Sequence, residues 1–203
     1  MSNLLDMLGK GLDANVGETL ERHLRVGSGQ SIDQLRRRCR LEGDRPELHR
    51  RLGLAYLHGM QFSEAVEHLR RACRDRPDDL PTRVALAATY DEMGQPEKAL
   101  EQLRVANQVQ PGAVAVLFAI GYCLEKLSRP DEAREYYRDV LAAEASHVAA
   151  RHRLAAIALL TDDLPEAVTQ YEQLRAMDGG SASVRSVLAH LYHRAGRHAE
   201  AIA

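Results

Sequence analysis

The sequence predicts an all-α protein, an α-solenoid of antiparallel helix hairpins. Two observations predict this fold class. Small and large apolar residues recur together every 34 residues, and proline recurs close to the predicted helix ends. One such hairpin cannot bury its own apolar face, so neighbouring hairpins must stack to form a continuous core.

The period is clearest in two adjacent stretches of 34 residues. Each carries Leu, then Gly or Ala, then Tyr on its first predicted helix, followed by Ala-x3-Leu on the second helix and a closing proline. Two further copies are weaker, and a fifth is incomplete. The predicted segments are a capping segment with a degenerate leading repeat at 1–45, repeats at 46–79, 80–113, 114–147 and 148–181, and an incomplete repeat at 182–203.

These spacings resemble the tetratricopeptide repeat, which pairs L-G-x2-Y on one helix with A-x3-F on the next and ends with proline. In the first full repeat, Gly53 and Tyr56 match the first helix, and Ala65 and Leu69 match the second. The tryptophan that usually leads the pattern is missing, because the chain contains none. The resemblance covers roughly 46–203 and implies a right-handed superhelical arc.

The first 45 residues follow the period less closely. Ser31 is predicted to cap a helix that carries Leu35 and Cys39, one period before the equivalent residues of the next repeat. Residues 1–11 are predicted to be a short apolar-faced helix or a loose tail. We expect this segment to cap the array, since repeat stacks need their ends covered. The alternative is that it docks in a groove or on a partner.

Composition argues against several classes of partner. The chain has 203 residues, 45% of them hydrophobic, and a formal net charge of -2. This balance gives no general attraction to nucleic acid, and no apolar run approaches the ~20 residues of a membrane-spanning helix. The arginine-rich stretch near residue 38 is interleaved with acids and has no aromatic stacking platform, so we predict no nucleic-acid binding and no membrane insertion. Three cysteines without CxxC spacing fit a cytoplasmic protein without disulfides.

No catalytic motif is present in the sequence. We find no phosphate-binding loop, no G-x-S-x-G and no H-E-x-x-H, and we therefore predict neither enzymatic activity nor a cofactor. His190 and His193 are spaced to share one helix face, but a structural zinc ion usually has four ligands, so no metal site is predicted. Arginines that follow an acid by three residues are predicted to form surface ion pairs. These arginines are Arg36, Arg70, Arg104 and Arg138.

The resemblance also implies a binding surface. In that family the first helix of each repeat lines a concave groove, mainly through repeat positions 2, 5, 9, 12 and 13. We expect a protein or peptide ligand there, with apolar anchors in the middle and at least one of the Phe118 and Tyr122 rings exposed. The predicted partner-binding residues are Arg50, Leu54, Val84, Ala88, Asp91, Phe118, Tyr122, Glu125, Lys126, His152 and Ala156.

The predicted function is therefore a non-catalytic protein–protein interaction scaffold. One alternative is the N-terminal recruitment arm of a larger enzyme, such as a glycosyltransferase, sulfotransferase or kinase. Another is a self-assembling scaffold. The last predicted hairpin is cut short after Ala201, so we expect the chain to be a fragment and Leu188, Leu191 and Tyr192 to form an exposed C-terminal edge at which copies associate.

Overall fold

The computed structural model describes residue 4 and residues 31–43, 45–178 and 181–201. All regular secondary structure in these ranges is α-helical, and within each of two compact units consecutive helices pack against each other, which confirms an α-solenoid. The chain divides into two compact units, residues 1–129 and residues 130–203. Each unit is described by itself.

The described part of the first unit contains helices from the leading segment and from the first repeats. In α1 the Ser31 hydroxyl accepts a hydrogen bond from the Gln34 backbone N–H, and the Gln34 side chain accepts one from the Ser31 N–H. This reciprocal capping box confirms the predicted start of that helix. The helices are α1 (Ile32–Glu42), α2 (Pro46–His58), α3 (Phe62–Asp75), α4 (Leu80–Glu92), α5 (Pro96–Val109) and α6 (Val114–Lys126).

The hairpin of α2 and α3 shows why small residues recur in the repeat. A Cβ atom added to Gly53 would lie 2.5 Å from Cγ of Leu69, which is fully buried. Glycine therefore allows the two helices to approach closely. Leu35, Leu52 and Tyr56 are also buried in this region, so α1 contributes to the same core as the hairpin.

The turn between the two helices of each repeat has a left-handed residue at a fixed position. These residues recur every 34 positions. They are Met60 (φ 56°), Gly94 (φ 67°), Ser128 (φ 57°), Asp162 (φ 57°) and Gly196 (φ 70°). In the first turn the Gln61 N–H donates to the Tyr56 carbonyl at 2.9 Å, which closes the end of α2.

The described part of the second unit contains five helices. Ala158 and Ala167 meet Leu188, Leu191 and Tyr192 in its core. Leu188, Leu191 and Tyr192 are at most 3% exposed, so the prediction that they form an exposed edge was wrong. They pack within their own unit, with Ala201 beside them. The helices are α7 (Pro130–Ala143), α8 (Val148–Leu160), α9 (Leu164–Asp178), α10 (Ala182–Arg194) and α11 (His198–Ala201).

The predicted acid–arginine pairs form at some positions of the period. Arg36 lies 4.0 Å from Asp33, and Arg138 lies 3.0 Å from Glu135. Glu67 instead pairs with Arg71, one residue beyond the predicted arginine, at 2.9 Å. These are surface ion pairs between exposed or partly exposed side chains, and each contributes little to stability.

Candidate partner-binding surface

The predicted groove residues of the first unit lie on the first helices of its repeats, α2, α4 and α6. We call this set the unit-1 face. The Phe118 ring is 1% exposed and the Tyr122 ring is 5% exposed, so the prediction that at least one ring is open to solvent was wrong. Leu54, Val84 and Ala88 are buried as well. The accessible predicted side chains of this face are Glu125 and Lys126.

A buried carboxylate lies at the centre of the unit-1 face. The side chain of Asp91 is 0% exposed, and its Oδ1 accepts a hydrogen bond from Lys126 Nζ at 2.5 Å. The same ammonium group lies 5.0 Å from the centre of the Tyr122 ring. Burial lowers the pKa of Lys126, but the hydrogen bond and charge of Asp91 outweigh burial and raise that pKa above its usual value. Lys126 therefore remains charged at neutral pH.

The second oxygen of Asp91 accepts a hydrogen bond from the other end of the first unit. The backbone N–H of Leu4 donates to Asp91 Oδ2 at 3.0 Å. Leu4 has a helical backbone and is 0% exposed. Leu4 belongs to the segment that was predicted to cap the array. Docking in a groove or on a partner was the alternative, and the apolar run of residues 1–11 was the signal for it. The rest of that run lies outside the described residues.

Arg50 occupies the edge of the unit-1 face but is not free for a partner. Its guanidinium donates two hydrogen bonds to the Glu47 carboxylate, at 2.7 and 3.1 Å, and its side chain is 10% exposed. Burial raises the pKa of Glu47, but hydrogen bonds from Arg50 and Arg51 outweigh burial, so this pKa lies below its usual value. The pair is therefore charged at neutral pH and its hydrogen bonds are made within the helix.

The predicted residues of the second unit lie on α8 and are exposed. His152 and Ala156 share one side of that helix with Val148 and Leu159, which are 45% and 36% exposed. We call these four residues the unit-2 face. The predicted set did not include the two large apolar residues, because α8 carries apolar residues on its core side too and the sequence alone does not separate the two sides.

Other titratable groups of the described residues lie outside the two faces. Among the described residues, no group of three or more His, Cys, Asp or Glu side chains could hold a metal ion. The rings of His193 and His198 lie 5.1 Å apart. Burial raises the pKa of the Cys73 thiol to about 11 and that of Cys123 to about 12, so both thiols remain protonated at neutral pH.

A shallow cleft of about 890 Å³ lies between side chains of α3, α4 and α5. Several arginines line it, and part of their hydrogen-bonding capacity is already used. Arg71 donates to Glu67 at 2.9 Å, and Arg83 donates to the Pro77 carbonyl at 2.7 Å. Within the described residues, no helix has both the length and the apolarity needed to cross a bilayer.

The comparisons with known proteins define the class. The family described as "Anaphase-promoting complex, cyclosome, subunit 3" matches residues 58–140, and the family described as "Tetratricopeptide repeat" matches residues 124–189. Both are families of tetratricopeptide repeats. The chain belongs to the tetratricopeptide repeat proteins, as the spacing of its small and large residues predicted.

Solved structures that resemble this chain include MamA and YrrB. A MamA crystal structure has a TM-score of 0.69 at 16% identity and covers 77% of this chain and 86% of its own. A MamA fragment from Desulfovibrio magneticus RS-1 has a TM-score of 0.68 at 18% identity, with coverage of 79% and 90%. YrrB, described as a TPR protein with an unusual peptide-binding site, has a TM-score of 0.69 at 13% identity, with coverage of 84% and 88%. No curated protein matches the chain. At these identities the likeness shows the fold alone.

Proposed function

We propose that this protein is a non-catalytic interaction scaffold that binds an extended or helical segment of a protein partner on the first helices of its repeats. The class of ligand is supported by the fold and by YrrB, whose description names a peptide-binding site. The proposed partner-binding residues are those of the unit-2 face and the two accessible residues of the unit-1 face, Glu125 and Lys126.

The observation that carries this proposal is the exposed apolar stripe on α8. Val148 and Leu159 are 45% and 36% exposed, and the exposed side chains of His152 and Ala156 lie between them. These residues are spaced at i, i+4, i+8 and i+11, so they follow one side of the helix. An apolar stripe with one polar side chain suits the apolar side of a partner segment.

The packing of the helix under the stripe also favours binding. The opposite side of α8 is fixed by buried residues, among them Leu154, Ala155 and Ala158, which are at most 1% exposed. The unit-2 face is therefore displayed on a rigid element. A preformed surface loses little conformational freedom when a partner binds, and this lowers the cost of association.

A matched pair of substitutions tests the proposal. Peptides of random sequence would be selected by phage display on the full chain, and their affinities measured by fluorescence anisotropy. Ala156→Glu places a carboxylate in the middle of the unit-2 face, and we expect it to weaken the selected peptides at least about tenfold, because an unpaired charge opposite an apolar side chain loses its hydration.

Ala142→Glu is the control for this experiment. Ala142 is also an exposed alanine on a helix, but it lies on α7, a second helix of a repeat, away from the proposed face. We expect this variant to bind the peptides as the wild type does. Equal affinities for the wild type and both folded variants would contradict the proposed surface.

A further inference from the structure

The two faces differ in exposure although the repeat period assigns them the same role. On the unit-2 face, His152 and Ala156 are exposed. On the unit-1 face, the equivalent positions hold Val84, Ala88 and Tyr122, which are 6%, 0% and 5% exposed. Side chains that line an open groove would be expected to remain in contact with solvent. The unit-1 face therefore behaves as a surface that is already covered.

The contact made by Leu4 indicates which part of the chain covers the unit-1 face. This residue is 87 positions away from Asp91 in sequence, yet its N–H donates to the Asp91 carboxylate and its side chain is 0% exposed. Its backbone is helical. The described contact of Leu4 is therefore with a residue of a first helix of the repeats, far from it in sequence.

The contact also uses a specific polar group of the face. A backbone N–H donates a stronger hydrogen bond to an ionised carboxylate than to a neutral acceptor. Asp91 is fully buried and needs partners for both oxygens, and it has Lys126 on one and Leu4 on the other. The face thus supplies a buried acceptor for the Leu4 backbone N–H.

We propose that the segment carrying Leu4 is an intramolecular ligand of the unit-1 face, which a partner must displace before it can contact the buried Asp91 carboxylate. The role of the partner rests on the function proposed above, whereas the intramolecular contact does not. A ligand tethered in the same chain acts at an effective concentration on the order of millimolar, so it weakens every competing partner.

A synthetic peptide tests the contact directly. The peptide would have the sequence of residues 1–10 with a fluorophore at its C-terminal lysine, and its binding to the full chain would be followed by anisotropy. In the Leu4→Asp variant the tethered segment no longer fits, so the face is free for the added peptide. We expect this variant to bind the peptide with a Kd on the order of 100 μM or tighter, and the wild type to bind it at least about tenfold more weakly.

Leu41→Asp is the matched control. Leu41 is 86% exposed in the same unit, so the same substitution there leaves the face covered and the peptide should bind as weakly as it binds the wild type. Equal binding to the wild type and to Leu4→Asp would overturn the proposal, as would no binding to a folded Leu4→Asp chain. A Leu4→Asp chain that fails to fold, as measured by circular dichroism, would show that the segment is a permanent part of the core and would also overturn it.

The origin of the bound segment is tested by light scattering. If the segment comes from the same chain, the wild type has the same mass from about 1 to 100 μM. A wild-type dimer that Leu4→Asp dissociates would place the segment in a second copy and overturn the intramolecular assignment. Peptide binding to Leu4→Asp tests the intramolecular contact, and the Ala156→Glu experiment tests the proposed function. If one of these experiments contradicts its proposal, the other proposal is still tested by its own experiment.

Discussion

His49 and His68 form a stacked pair between α2 and α3. Their Nδ1 atoms are 2.7 Å apart and their ring centroids 5.0 Å apart, and the His68 ring also stacks on Tyr56 at 5.4 Å. Burial lowers the pKa of His68, and the nearby His49 lowers it further. The charges around His68 are Glu67, which raises this pKa, and Arg71 and Arg36, which lower it.

This pair predicts a loss of stability in acid. Above a pH of about 6.5, the usual pKa of a histidine in an unfolded chain, His68 is neutral in the folded and the unfolded protein. Its titration then does not lower the free energy of unfolding. As the pH falls through that value, the unfolded chain takes up the proton first, so the free energy of unfolding decreases until the lower folded pKa is passed. We expect urea denaturation to show a larger loss between pH 7.5 and 5.5 in the wild type than in His68→Gln.

The control for the histidine prediction is His58→Gln, because His58 is exposed in the same unit. It should keep the pH dependence of the wild type. If His68→Gln loses as much stability in acid as the wild type does, then another group causes the effect and the prediction is wrong.

The turn between the two helices of a repeat is the element that recurs most regularly. Gly94 and Gly196 occupy its left-handed position without strain, whereas Met60 holds φ at 56° with a Cβ atom and a 78% exposed side chain. A non-glycine residue in this conformation costs roughly 1–2 kcal/mol. The exposed side chain of Met60 recovers little of this cost through packing.

We expect Met60→Gly to be more stable than Met60→Ala by about 0.5–1 kcal/mol, measured by urea denaturation. The gain is smaller than the strain because glycine also increases the entropy of the unfolded chain. Met60→Ala is the control, since it removes the same side chain but keeps the Cβ atom. An alanine variant at least as stable as the glycine variant would contradict the strain argument.

The whole molecule carries charges of both signs in nearly equal numbers. The sequence contains 27 Lys and Arg residues and 29 Asp and Glu residues, and its formal net charge is -2. Many arginines already contact acids of their own helix, as Arg38 does with Glu42 at 2.7 Å. Nucleic-acid binding needs unpaired cations that replace the counterions of the phosphate backbone.

We therefore expect the full chain not to bind a fluorescent 30-base-pair DNA duplex at 150 mM salt, despite the arginines near α3. The measurement is anisotropy at increasing protein concentration, repeated at 50 mM salt. Binding tighter than about 1 μM with a steep salt dependence would contradict this expectation and would assign the cleft to phosphate recognition.

The repeat and its helices could be predicted from the sequence because their causes are local. Gly53 is needed where one helix touches the next, and Pro96 and Pro130 open second helices where a missing N–H costs nothing. The ring exposure at Phe118 could not be predicted in the same way. Repeat position specifies the side of a helix, but exposure depends on whatever else packs there.

The sequence by itself determined the class of fold, since a 34-residue period of small and large residues permits stacked hairpins and little else. The positions that line the groove followed from the resemblance to the tetratricopeptide repeat and stay a prediction. Only the tertiary structure decided that the unit-1 face is buried and that the unit-2 face is exposed. The physical reason is that exposure depends on contacts between residues distant in sequence, such as that from the Leu4 N–H to Asp91 across 87 residues, and no local pattern encodes these contacts.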